Sequence, residues 1–169
     1  MKTTASYYSE QQRFRQWWLW AILLPGPAFL FWTTVQHVFL GISTGKNLGD
    51  IYIFLILTVI FSIGFPLFMY TTGLDTQVTS HGLSVRFRPF HRKWRVFEFE
   101  SILEAEALTY SPLKDFGGWG IRYGKKGKAY SVSGNEGVLL KLKNGKSVLI
   151  GSKKHEELGR AIKQRILIN

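Results

Sequence analysis

The chain changes its periodicity once. Before Tyr70 apolar residues follow one another without regard to face, and after it they alternate with polar ones. The first uninterrupted run, "WWLWAILLPGPAFLFWTTV" at 17–35, carries no formal charge. Wound as a helix at about 1.5 Å per residue, it would cover most of a hydrocarbon core of about 30 Å. The second, "IYIFLILTVIFSIGFPLFMY" at 51–70, is again uncharged and is apolar on every helical face, which suits a spanning helix and not one lying on a surface. The pattern predicts a transmembrane hairpin over 17–70, with spans over about 17–40 and 51–70. Residues 1–16 precede it as a short N-terminal segment and residues 71–169 follow as a separate domain.

Pro25-Gly26-Pro27 interrupts the first span, and each proline removes a backbone donor, so a kink or break is predicted there. Transporters line substrate paths with such breaks, but a path also needs ionisable groups within the span. His37, beside Gln36 near the outer boundary, reads as an interfacial hydrogen-bonding residue, and a kinked anchor is the simpler reading. A removable signal sequence fits less well, because the run is longer than a usual signal core and no A-x-A site follows it.

Beyond Tyr70, short strand-like segments recur, each closed by a turn signal: "LDTQVTS", "LSVRFRPF", "KWRVFEFE", "EAEALTY", "WGIRYG" and "KAYSVS". The pair "GVLLKLK-NG-KSVLIG" sets Val138, Leu140 and Leu142 on one face, and Asn144-Gly145 suits a two-residue type I′ turn. Leu139 breaks the alternation, so its face is expected to be covered too. Ser152 is placed to cap a final helix with Glu156 and Glu157 in its first turn. Leu158, Ala161, Ile162 and Ile166 follow at helical spacing, giving one apolar face.

The fold class expected is therefore a membrane protein, α plus β. A two-helix hairpin precedes an antiparallel β-barrel or sandwich capped by one C-terminal helix. That layout, with the stretch "DFGGWGIRYGKKGKAYSVSGNEGVLLKLKNGKSVLIGSKKHEEL" at 115–158, resembles small bacterial two-span membrane proteins carrying a C-terminal pleckstrin-homology-like domain. The resemblance implies the fold and topology and carries over no functional residue. It implies no inositol-phosphate site in the first hairpin loop, since "SHGL" holds no Lys or Arg.

Composition adds a sidedness. Residues 71–169 hold 18 of the 22 Lys and Arg and 9 of the 11 Asp and Glu, a net of +9. Lys2, Arg13 and Arg15 precede the first span, only Lys46 lies between the spans, and a dense basic cluster follows the second. The positive-inside rule then predicts a multi-pass protein of the cell membrane with both termini cytoplasmic. Trp17, Trp18, Trp20, Tyr52 and Tyr70 fit interfacial belts. The absence of cysteine removes disulfides, thiolate nucleophiles and Cys-based metal sites.

Catalytic patterns are present only by chance. Gly41-Ile42-Ser43-Thr44-Gly45 spells G-x-S-x-G without the strand and helix a nucleophile elbow needs, and Ser111-Pro112-Leu113-Lys114 spells S-x-x-K without companion motifs. Gly124-Lys125-Lys126-Gly127-Lys128 lacks the spacing and hydroxyl of a phosphate-binding loop. Histidines 37, 81, 91 and 155 are scattered, so no metal site is expected. Glu98 with Glu100, and Glu104 with Glu106, read as solvated strand faces. No enzyme activity and no cofactor are expected.

Two binding candidates remain. "RFRPFHRKWR" at 86–95 gathers Arg86, Arg88, Arg92, Lys93 and Arg95 soon after the second span. Cations that close to an anionic inner leaflet contribute about 1 kcal/mol each, so contact with anionic lipid is the expectation, against a solvated positive-inside surface that binds no ligand. Gly117, Gly118 and Trp119 are the alternative, a loop that docks a membrane or cytoplasmic protein partner, against a tryptophan that only fills the barrel. A sheet edge is a second docking candidate. A pI near 10 also suits nucleic acid, but tethering and the lack of a recognition motif argue against that partner. The expected role is a membrane-anchored binding or scaffold module, with an adaptor subunit as the alternative.

Overall fold

A computed structural model describes residues 6–40 and 48–168. The G-x-S-x-G match at 41–45, Lys46 and Lys2 lie outside the described residues. The chain is α plus β and divides into two compact units, residues 14–71 and residues 1–13 with 72–169.

The first unit is helical. Helices α1 (Trp17–Leu23) and α2 (Pro25–Leu40) meet at Leu24, and the predicted interruption falls at the residue before Pro25. Helix α3 (Leu48–Val59) passes through a π turn at Ile60–Gly64 into α4 (Phe65–Thr71). Pro66 has no N–H to return to the carbonyl of Ser62, and next to it Phe65 N–H bonds Ile60 O, the wider spacing of a π turn. This second interruption was not expected from the sequence. The two stretches 17–37 and 52–71 are long and apolar enough to cross a membrane.

Polarity inside this unit is inverted relative to a water-soluble bundle. Ile22, Phe29, Trp32, Ile56 and Ile63 face outward, whereas Thr58 is buried. The Thr34 and Thr58 hydroxyls meet at 2.9 Å, and Ser62 Oγ donates to Pro27 O at 2.9 Å. The two interruptions are thus joined by a hydrogen bond from one to the other.

The second unit has two sheets. Sheet A runs β1 (Tyr8–Arg13), β2 (Gly73–Val78), β3 (Gly82–Arg88), β4 (Arg95–Glu98), all antiparallel neighbours. Sheet B has the order β5 (Ile102–Thr109), β8 (Glu136–Leu142), β9 (Ser147–Gly151), β7 (Gly127–Ser131), β6 (Gly120–Gly124), with β7 and β9 parallel. Leu74, Val85, Phe87, Ile102, Tyr130, Val138, Leu140 and Ile150 are buried. The expected strands are all present, but the arrangement is not wholly antiparallel as expected, because β7 pairs in parallel with β9.

The N-terminal segment is more than a lead-in, because Tyr8–Arg13 pairs along its whole length with β2. Gln12 is buried and its Nε2 donates to Gly151 O at 2.7 Å, and Tyr8 OH lies 2.6 Å from Glu10 Oε2 and 3.1 Å from Ser152 Oγ. Burial and the neighbouring Glu10 carboxylate push the Tyr8 phenol well above its ordinary pKa of 10.0. The domain is therefore discontinuous in sequence, with the helices inserted between its first and second strands.

Several local expectations shift. The β8–β9 turn is not type I′, since Asn144 lacks the positive φ that turn requires and Gly145 alone in the turn is left-handed, at 79°. Gly145 N–H bonds Leu142 O and Leu142 N–H bonds Lys146 O, each at 2.9 Å, which closes a three-residue loop with Gly145 at the left-handed position. Asn144 Oδ1 accepts Lys146 N–H at 3.0 Å. Helix α6 (His155–Ile166) is preceded by Lys154 as its first flanking residue, so Ser152 is not its cap and instead receives Lys154 N–H at 3.0 Å. Leu158 and Ile162 are fully buried, Ala161 and Ile166 only in part. Glu100 falls in a 3₁₀ turn, Phe99–Ser101, and so shares no strand with Glu98.

Leu139 packs as its position implied. It contacts a second cluster of Tyr110, Phe116, Ala129 and Leu149 on the far side of sheet B, beneath the short helix α5 (Pro112–Phe116).

Candidate functional site

The five basic residues at 86–95 separate into different environments. Alternation along β3 turns Val85 and Phe87 into the core and Arg86 and Arg88 onto the outer face of sheet A. In register, Asp75 of β2 sits opposite Arg86, and Gly73 sits between Arg13 and Arg88. Asp75 therefore lies among three guanidiniums. Arg13 Nη1 reaches Oδ1 at 2.9 Å, Arg86 Nη2 reaches Oδ2 at 3.1 Å, and Arg88 Nε reaches Oδ2 at 2.9 Å. These side chains cover Asp75, which is only 2% exposed although it is on the outer face. Arg86 is further held 4.6 Å above the Trp94 ring.

Arg92 and Lys93 project from the β3–β4 connection into solvent. Arg95, at the start of β4, donates from Nε to His91 Nε2 at 3.1 Å. Partial burial, with Arg95 and then Lys128 nearby, lowers the His91 pKa below 6.5.

Arg95 also borders a groove of about 700 Å3 that the sequence did not reveal. Strand β4 forms one wall, and the β6–β7 and β8–β9 turns of sheet B form the others. Arg95 is joined there by Lys125, Lys126, Lys128 and Lys146, and the lining contains no carboxylate. Gly127, at φ 100°, lies against the Ser147 carbonyl so closely that a side chain would collide with it, which brings the two turns together. Lys126 pairs with Asp115 at 3.2 Å, whose carboxyl is held below its ordinary pKa first by Ser111 N–H and then by Lys126, against the opposing effect of burial. Lys128 lies 5.1 Å above Tyr123 and 4.9 Å above Tyr130. Burial opposes its charge, but the two tyrosines outweigh that and its pKa is raised.

The Gly-Trp loop is the end of α5. Gly117, at φ 70°, bonds Leu113 O at 3.0 Å and Gly118 N–H bonds Pro112 O at 2.9 Å, a left-handed helix stop that only glycine adopts readily. Trp119 is half-buried and its indole N–H donates to Gly134 O at 2.8 Å. It neither fills the core nor stands fully exposed. Among the described residues no group of three or more His, Cys, Asp or Glu is placed to hold a metal ion.

Fold and site together define an α plus β protein in which an apolar helical hairpin interrupts a two-sheet domain with a basic groove. The chain belongs to the family of unknown function DUF6141, whose family model matches residues 2–167. No curated protein matches it.

Proposed function

We propose that the two apolar helices anchor the chain in the cell membrane as a two-span hairpin. The split domain then folds in the cytoplasm as a pleckstrin-homology-like binding or scaffold module without catalytic activity. The observation that carries this reading is the pairing of β1 with β2 across the apolar insertion. A domain whose first strand precedes the insertion and whose remainder follows it needs an even number of crossings. Two helices supply that number, and their outward isoleucines and aromatics suit lipid better than water.

The excess of Lys and Arg on the flanking segments favours the cytoplasmic side. Only three residues separate Arg13 from Trp17, and one separates Thr71 from Gly73. At about 3.3–3.6 Å per residue, chain length alone keeps the Arg13–Arg88 end of sheet A within reach of the headgroups. The β3–β4 connection leaves sheet A at that end, so Arg92 and Lys93 are the cations most available to an anionic leaflet, with Arg86, Arg88 and Arg95 behind them.

The test uses the full chain in nanodiscs of anionic or zwitterionic lipid, with amide hydrogen exchange read over residues 90–95. Slower exchange on the anionic lipid is expected, and it should vanish in Arg92→Glu with Lys93→Glu. Equal exchange on both lipids would refute contact with the leaflet.

A further inference from the structure

We infer that the groove between β4 and the β6–β7 and β8–β9 turns is a binding site for a ligand carrying two or more adjacent phosphate groups. The inference does not depend on the helices spanning a membrane, because every wall of the groove belongs to the two-sheet domain.

Three observations converge on this ligand class. The volume, about 700 Å3, is that of a small-molecule site, which typically falls within about 300–1,000 Å3. Five cations from three separate chain segments surround it with no carboxylate in the lining, an arrangement that costs repulsion in the empty domain. Lys126 is neutralised by Asp115. Among the described residues no carboxylate pairs with Arg95, Lys125, Lys128 or Lys146. Four uncompensated positive charges are more than one phosphate monoester, at about −1.5 to −2, would neutralise, and they suit a group carrying further phosphates.

Geometry assigns the contacts. Lys128 is fixed over two tyrosine rings, and Arg95 is oriented through its Nε by His91. Lys125 and Lys146 stand exposed on turns held together at Gly127, so they can close on an anion from either side. Lysine ammonium groups bind phosphate as point charges, and charge-assisted bonds of this kind are about twice as strong as neutral ones. An acidic peptide lying along the free edge of β4 is the competing occupant. It would leave the cations on the two turns of sheet B largely unused.

The phosphate can arrive on a lipid diphosphate headgroup or on a soluble oligophosphate, and the experiment separates the two. Full-length protein in neutral-lipid nanodiscs is titrated with inorganic tripolyphosphate. Parallel nanodiscs carry a lipid diphosphate, and citrate and polyglutamate serve as carboxylate controls.

Saturable binding of tripolyphosphate is expected for a soluble ligand, and binding only to the lipid diphosphate would assign the headgroup. In either case Lys125→Ala with Lys146→Ala should weaken binding by about tenfold or more, whereas Lys153→Ala with Lys163→Ala, the same loss of charge at exposed positions outside the groove, should change it by less than about twofold. These lysines are exposed turn residues, so an unchanged melting temperature will show that the variant is folded. Equal weakening by both pairs, equal affinity for citrate or polyglutamate, or no saturable binding to either phosphate probe would overturn the inference.

Discussion

Two cationic clusters in one domain use the same residue types in opposite ways. Around Asp75 three arginines share one buried carboxylate, so their charge is spent on holding β1, β2 and β3 together. Around the groove one arginine and four lysines share only Asp115, at its margin, so their charge remains available. Sequence proximity did not separate them, since Arg88 and Arg95 are seven residues apart and belong to different clusters. What separates them is whether the strand register places an acid opposite the base.

The largest effect expected is at Asp75. Asp75→Asn would leave three guanidiniums facing one another and should destabilise the full chain in detergent by about 3 kcal/mol, the lower end for breaking a buried ion pair because the arginines are partly exposed. Thermal unfolding measures it, and a loss below about 0.5 kcal/mol would mean that the cluster is not structural.

Arg86→Ala removes one of three pairs and the stacking on Trp94, and should cost about 1 kcal/mol in the same assay. An unchanged melting temperature there would leave Arg13 and Arg88 as the whole of the cluster.

His91 gives a pH signature to the groove margin. Its pKa is lowered in the folded protein by burial, by Arg95 at the start of β4 and by Lys128 of β7. The unfolded chain therefore binds the proton more readily. Stability is present above the ordinary histidine pKa of 6.5 and is lost as the pH falls through the lower folded value. Melting curves of the native chain and of His91→Gln should diverge below that pH. Parallel curves would contradict the assignment, and His155, paired with Glu136 at 3.3 Å in both proteins, cancels from the comparison.

The smallest effect is expected in the groove itself. Lys125→Ala with Lys146→Ala should shift stability by no more than about 0.5 kcal/mol in the absence of ligand, in either direction. A larger destabilisation would move these lysines into the structural class.

The strands of the domain were legible because most of them alternate, and Leu139 announced the second layer by breaking the alternation. Strand β1 was not legible. "YSEQQR" offers only Tyr8 as an apolar inward residue, its other inward side chains are Glu10 and the buried Gln12, and its partner lies some sixty to seventy positions away. The role of Asp75 had a readable signal, as the lone acid between residues 51 and 97 on a strand preceding a basic one, and the β2–β3 hairpin register puts it opposite Arg86. The groove had none, because Arg95, the 125–128 turn and Lys146 are joined only by the packing of the two sheets. The Asn-Gly turn shows the limit of a local rule, since the residue pair was right and the loop was one residue longer.

The proposed split of one domain by a membrane hairpin can be tested with introduced thiols, because the chain has no cysteine of its own. Gln11→Cys on β1 and Gln164→Cys on α6 place exposed labels on either side of the insertion. In intact cells an impermeant maleimide should label neither, and after permeabilisation both should react. Labelling of either position from outside would contradict the account.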